Sequence, residues 1–160
     1  MAQLSDAIEK SIELISELTN YTSVVLGKFT AAAIIMLITE FATLMYYGIL
    51  RYFGEPSLTV AISTLVGFFL LSLAYISFGM FASSVTENQI VACVLTIGTF
   101  IAMWFLPGIN EVFSLVSLIS MFDKFPSGII SITEVITFVS FSILFILLTI
   151  INLQRRKSVK

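Results

Sequence analysis

The chain has 160 residues, of which 58% are hydrophobic and 11% are charged, and its formal net charge is −2. A soluble domain of this length could not hide so much apolar surface, so lipid must cover a large part of it. The sequence has no His and one Cys, which excludes a disulfide framework, a zinc site of the usual ligand types and a Cys–His nucleophile. We therefore expect an all-α, polytopic membrane protein.

The first segment, residues 5–18, has the periodicity of an amphipathic helix. Its polar face carries four acids and one base, whereas a helix that grips anionic lipid carries Lys and Arg. A basic protein surface suits it better, and a solvated helix lying at the interface is the alternative. No cleavable signal is expected, because residues 1–20 are acidic and lack an apolar core. The apolar positions are Ala7, Ile8, Ile12, Ile15 and Leu18, and the charged ones are Asp6, Glu9, Lys10, Glu13 and Glu17.

Four later stretches are long and apolar enough to cross a bilayer, which needs about 20 helical residues. Helices are the expected form, because lipid leaves no partner for unpaired backbone groups and the short alternating segments of a barrel are missing. The predicted spans are 29–50, 58–83, 90–106 and 135–153. The membrane domain is thus 29–153, preceded by a cytoplasmic amphipathic helix in 1–28 and followed by a basic tail, 154–160.

Breaks between the spans follow from turn and capping residues. Residues 54–57 form a turn, and Pro107 stops the third span. The patterns Thr86-Glu87-Asn88-Gln89 and Ser131-Ile132-Thr133-Glu134 fit capping boxes that start the third and fourth helices. Residues 109–133 are interrupted by charges and by Pro126. We therefore expect short external helices or a re-entrant segment there.

Basic residues predict the orientation. The tail carries Arg155, Arg156, Lys157 and Lys160, which the positive-inside rule places in the cytoplasm. An even number of spans puts the N-terminus on the same side. Six basic residues then lie inside and only Arg51 and Lys124 lie outside, a distribution that supports four spans.

Glu40 is the one ionisable residue in the middle of a predicted span. A charge at that depth costs about 2.5–3.5 kcal/mol on insertion scales, and such residues face a bundle interior or water. One interpretation is a proton or cation site. The other is a neutral carboxyl that joins helices through a hydrogen bond to a hydroxyl such as that of Thr39 or Thr43, or one on another helix.

Small residues at four-residue spacing mark faces where helix backbones can approach. Internal packing is the favoured interpretation and a dimer seam is the other. Cys93 is interpreted in the same way, as a small packing residue. The pairs are Ser63 with Gly67, Gly79 with Ser83, and Gly98 with Ala102.

Several kinds of chemistry are missing from the sequence. Gly27-Lys28-Phe29 is not an ATP-binding loop, because it lacks the earlier glycine and the hydroxyl that should follow the lysine. The chain offers no Ser–His–Asp set, no paired-carboxylate cleft and no basic aromatic surface for nucleic acid. We expect a non-catalytic protein without its own cofactor or metal.

Three local patterns carry a family resemblance. The first is Ile12-Glu13-Leu14 with a short polar turn at Asn20-Tyr21 and the helix opening VVLGKF at 24–29. The second and more specific is YISFGMFASSVTENQIVA at 75–92, and the third is SLISMFDKF at 117–125 followed by GII at 128–130. With Arg155-Arg156 at the end of the last span, these stretches resemble ABC transporter permeases of the type-two export class, nearest to the gliding-motility-like branch, from about residue 11 onward.

The resemblance implies a bacterial inner-membrane subunit that pairs with a second permease copy or paralogue and with ATP-binding subunits, which hold the ATP and magnesium. Family members have six helices, so this chain looks like the last four, as in a truncated reading frame, a split subunit or a mis-called start. The acidic helix would be the coupling element, and 86–89 a cytoplasmic loop. Leu18-Thr19 departs from the proline-containing turn usual there. The residues implied in coupling are Glu13, Leu14, Glu17, Tyr21 and Lys28.

Two other functions stay open at this point. A self-contained, proton-coupled exporter would use Glu40 to bind a proton and a cationic substrate in turn, as a dimer. A permease remnant would have no transport activity. The sequence does not identify a substrate.

Overall fold

The structure, a computed structural model, describes residues 2–105, 108 and 117–158. Every regular element in these residues is helical. Some predictions fall outside the description: those on Leu106, Pro107, residues 109–116 and Lys160, and those on the side chains of Leu14, Glu17, Leu18 and Lys157. The helices are α1 (Ala2–Phe53), α2 (Leu58–Val85), α3 (Gln89–Phe105), α4 (Leu118–Phe122), a 3-10 turn (Phe125–Ser127) and α5 (Ile132–Ser158).

α1 is one continuous helix of 52 residues. The predicted polar turn at Asn20-Tyr21 is wrong, and the predicted boundary at residue 28 matches no helix end. The hydroxyls next to this position bond to their own helix: Thr19 Oγ1 donates to Ile15 O at 2.9 Å and Ser23 Oγ donates to Thr19 O at 2.8 Å. No proline interrupts α1, so nothing removes a backbone hydrogen bond along its length.

Three helical segments are long and apolar enough to cross a membrane: Thr19–Phe53, Leu58–Val85 and Ile132–Arg156. α3 is apolar too but has only 17 residues, the lower end of the range for a spanning helix. The chain is therefore an all-α, multi-pass membrane protein. The observed helices α2, α3 and α5 begin within three residues of the predicted spans, because turn residues bound each apolar stretch.

α2 is the central helix and α5 runs parallel to it. The rings of Phe78 and Phe145 lie 5.1 Å apart, and further along both helices Asn152 Nδ2 donates to Ser84 O at 2.8 Å. α3 runs antiparallel to α2, because Tyr75 stacks on Phe100 and, further along α2, Gly79 faces the earlier residue Thr96. α1 is also antiparallel to α2, because Tyr47 bonds to Pro56 just before α2 while Phe29 lies beside Leu73 further along it. We call the end with residues 54–57 and 117–131 the cap end, and the opposite end, where α2 and α5 stop, the tail end.

The core is small and lies near the cap end. Its buried members are Leu71, Ala74, Leu118, Phe125 and Phe138. Most large apolar side chains of α1 and α3 are exposed. In α3 the buried residue is Ala92. A bilayer or a partner protein is needed to cover these faces, which agrees with the membrane assignment.

The two predicted capping boxes have different outcomes. The Thr86 box is wrong, because Thr86 ends α2 and its hydroxyl donates to Ala82 O at 3.1 Å. Asn88 begins α3 instead, with its Oδ1 accepting from Ile90 N at 2.9 Å. Ser131 directly precedes α5 as predicted, and the Glu134 carboxylate of that box also accepts from Lys124 Nζ at 2.5 Å.

Candidate functional site

The first candidate site is the acidic arm, which we define as residues 2–18 of α1. Its described charged side chains, Asp6, Glu9, Lys10 and Glu13, are all exposed. Its apolar stripe is exposed as well, with Ile12 and Ile15 each 62% accessible. Neither face of the arm is covered by the described part of the chain, so both faces are free to meet lipid or another protein.

The arm joins directly to the face of α1 that packs on the bundle, which we call the packed stripe. Its members recur at helical spacing and are buried or half-buried, whereas the positions between them are mostly exposed. Tyr21 is half-buried just before the stripe, and Lys28 is exposed beside it. A displacement of the arm would therefore be carried by an unbroken helix to the packed stripe. The stripe comprises Val25, Phe29, Ala32, Met36, Glu40 and Tyr47.

Glu40 lies on this packed stripe, with 9% of its surface accessible. Its Oε1 is buried and has no hydrogen-bond partner within the described residues. The expected bonds to Thr39 and Thr43 are not found. Both threonines are exposed, and their hydroxyls donate to Ile35 O at 3.0 Å and to Thr39 O at 3.1 Å. A buried acceptor without a partner costs about 1–3 kcal/mol, so the burial of Glu40 Oε1 is unfavourable by roughly that amount.

The cap, residues 117–131, closes one end of the bundle. The ring of Phe125 is fully buried against Gly67 on α2, where an added Cβ would stand 2.4 Å from Phe125 Cγ. Ser63 Oγ donates to Phe125 O at 2.7 Å, and Ser117 Oγ donates to Met103 O at 3.0 Å. Ser63 and Gly67 thus lie at a close internal contact. Their partner is the cap, however, and not another long helix.

The other small-residue pairs lie differently. Gly79 is half-buried, and an added Cβ would stand 3.7 Å from Thr96 Cγ2 of α3. Ser83 is exposed. Gly98 and Ala102 are exposed on α3, and nothing lies within 4 Å of a Cβ built on Gly98. Cys93 is exposed as well. Within the described residues, α3 turns this face away from α2.

At the tail end, α5 binds the last turn of α2. Asn152 Nδ2 donates to Ser84 O at 2.8 Å, and Arg156 donates to Val85 O at 2.8 Å. These donors satisfy carbonyls that a helix end leaves without intrahelical partners. The loop from Thr86 to Gln89 follows directly and joins α2 to α3. The loop and the contacts of Asn152 and Arg156 therefore form one polar surface at the tail end.

Two apolar grooves open at the cap end. One, of about 670 Å³, lies between α1 and α2 and is lined by no charged side chain. The other, of about 570 Å³, lies between α2, α3 and the cap, and its lining includes Asp123. Neither groove nor the role of Phe125 was predicted from the sequence, because no local pattern shows which helices meet.

No protein-family model, curated protein or solved structure matches the chain. The function must therefore be argued from the arm, the packed stripe and the grooves.

Proposed function

We propose that this chain is a membrane-spanning permease subunit that works with a separate ATP-binding subunit. The observation that carries the proposal is the continuity of α1, a single helix from Ala2 to Phe53. Its acidic arm offers exposed carboxylates outside the apolar bundle, and its packed stripe contacts α2 and α5. This arrangement supplies what mechanical coupling needs, a rigid element between a partner that changes state and a helix bundle.

The proposed topology has four spans, with α3 as the short third one, and both termini in the cytoplasm of a bacterium. About 17 residues suffice for a short span. The beginning of α1 and the end of α5 both lie toward the tail end of the bundle, which supports this topology. The exposed faces of α1 and α3 would contact lipid and a second permease copy or paralogue. ATP and magnesium would bind on the partner ATPase.

The contact with the ATPase would be electrostatic at first. Glu9 and Glu13 are exposed on the arm, with Glu17 predicted beside them, and a basic groove on the partner would complement them. Such charge pairs set the rate and the specificity of docking more than its affinity. The exposed Ile12 and Ile15 would then supply apolar contact area.

Purification from the native membrane in mild detergent, followed by mass spectrometry, tests this proposal. We expect an ATP-binding subunit in stoichiometric amount. It should be lost from the double variant Glu9→Lys, Glu13→Lys and retained in the control Glu55→Lys, which makes one such charge reversal at the opposite end. Recovery of the chain without an ATP-binding subunit would overturn the proposal.

A second candidate function is favoured by Glu40. A buried carboxyl whose Oε1 has no partner in the described structure is the group that a proton-coupled exporter would use to bind proton and cationic substrate in turn. Transport by proteoliposomes with a proton gradient and no ATP separates the two functions. If the chain is a proton-coupled exporter, Glu40→Gln abolishes transport. If it is a permease subunit, transport requires ATP and persists in Glu40→Gln.

A further inference from the structure

The groove between α2, α3 and the cap is built mainly from aromatic rings. Tyr75 and Phe100 stack with their ring centroids 3.9 Å apart, and Phe68 meets Phe122 edge-to-face at 6.4 Å. Trp104 lies at the cap end of α3 and is 71% accessible. We call this feature, lined by Phe68, Tyr75, Phe100, Trp104, Phe122 and Asp123, the aromatic groove. Its volume, about 570 Å³, lies within the range of about 300–1,000 Å³ typical of small-molecule sites.

The described lining of the aromatic groove carries charge of one sign. α2 and α3 contain no charged residue, so Asp123 is the charged side chain of the lining. Its neighbour Lys124 forms an ion pair with Glu134 on α5 and not with Asp123. Asp123 is exposed at the cap end and forms no ion pair within the described residues. The groove therefore ends in a carboxylate that no described residue neutralises.

Apolar walls and an acidic end define one class of ligand. Aromatic faces attract cations through their quadrupole, worth about 0.5–1 kcal/mol at exposed sites, and they bury apolar groups at the same time. A neutral lipid chain would use the walls but not Asp123, and an anion would be repelled by it. We propose that the aromatic groove binds a lipophilic organic cation, with its apolar groups between the rings and its positive charge toward Asp123.

The groove between α1 and α2 provides an internal comparison. It is larger and equally apolar, but its lining has no charged residue. Lipid chains can enter both grooves, whereas selectivity for positive charge is expected in the aromatic groove alone. This inference concerns binding and does not depend on ATP or on the permease function.

The test uses two probes of nearly the same shape and opposite charge, tetraphenylphosphonium and tetraphenylborate. Each is measured separately by equilibrium dialysis against the full chain in detergent micelles, with empty micelles as the blank. The chain has a single Trp, so its fluorescence reports occupation of the groove directly. We expect saturable binding of tetraphenylphosphonium that changes the Trp104 emission, and no saturable binding of tetraphenylborate.

Three variants and one control assign the site. Asp123→Asn should weaken tetraphenylphosphonium binding about two- to fivefold, the effect of an exposed charge pair, and Asp123→Glu should restore it. Trp104→Ala should weaken binding about tenfold through lost ring contact. Glu55→Gln, which neutralises another exposed acid at the cap end, is the matched control and should change nothing. Circular dichroism verifies that each variant keeps its helix content.

Several results would overturn the inference. Equal binding of the two probes would show a groove without charge selectivity. A tetraphenylphosphonium affinity that is the same in Asp123→Asn and in the unchanged chain would remove Asp123 from the site. Absence of saturable binding above the micelle blank would exclude the site altogether.

Discussion

The burial of the Glu40 carboxyl costs free energy that no hydrogen bond within the described residues offsets. Its Oε1 has no partner within the described residues although it lies on the packed stripe of α1. We expect Glu40→Met to raise the melting temperature by about 2–4 °C, because removing an unsatisfied buried group is worth on the order of 1 kcal/mol. Thermal unfolding in detergent, followed by circular dichroism, measures this. Thr39→Val, at an exposed neighbouring position, is the control, and a lower melting temperature for Glu40→Met would mean that the carboxyl has a stabilising partner.

Gly67 is required by the close approach of the cap. A Cβ at this position would stand 2.4 Å from Phe125 Cγ, so Gly67→Ala must displace a fully buried ring. We expect a loss of about 1–3 kcal/mol in the free energy of unfolding, the usual cost of overpacking. Gly98→Ala is the matched control, because nothing lies within 4 Å of its added Cβ, and it should gain up to about 1 kcal/mol of helix stability. Equal effects of the two substitutions would contradict the docking of Phe125 on α2.

At the scale of elements, helix positions were more predictable than helix contacts. Turn residues at 54–57 and 86–88 bound the apolar stretches, so the starts of α2 and α3 follow from local signals. The continuity of α1 did not follow, because Asn20 and Tyr21 are equally compatible with a polar turn and with positions inside a helix. The docking of Phe125 against Gly67 joins residues far apart in sequence, and a single chain carries no local signal for such a contact.

The continuity of α1 can be measured directly. In a Cys93→Ser background, spin labels at Glu9→Cys and Lys28→Cys should give one narrow distance near 29 Å, since 19 helical steps rise about 1.5 Å each. Adding Ser23→Pro should shorten and broaden that distance, because proline removes a backbone hydrogen bond and costs about 3 kcal/mol in a helix interior. Ser23→Ala is the control. A short or broad distance without the proline would show that α1 bends near Asn20.

At the scale of the molecule, the sequence predicted a multi-pass bundle because only lipid can cover so apolar a chain. It did not predict which face of α3 would point outward. Gly98 and Ala102 have the spacing of a packing motif, yet both are exposed, because orientation is decided by where α2 and the cap provide contacts. The aromatic groove was hidden for the same reason, since its lining comes from three separate segments.

The number of spans is a prediction at this scale. With Cys93→Ser as the background, single cysteines at Lys10, Glu55 and Arg155 can be labelled with a membrane-impermeant maleimide in oriented vesicles. Four spans place Lys10 and Arg155 on one side of the membrane and Glu55 on the other. Labelling of Lys10→Cys and Arg155→Cys from opposite sides would mean that α3 does not cross.

Crosslinking at the acidic arm tests most directly whether the chain is the membrane subunit of an ATP-driven transporter. In native membranes, Glu13→Cys in the Cys93→Ser background is treated with a short bifunctional reagent that joins a thiol to a lysine. We expect one adduct, with an ATP-binding subunit, from Glu13→Cys and none from the control Glu55→Cys at the opposite end. The absence of any adduct at Glu13→Cys, or adducts formed only with other copies of this chain, would contradict the proposed contact with an ATP-binding subunit.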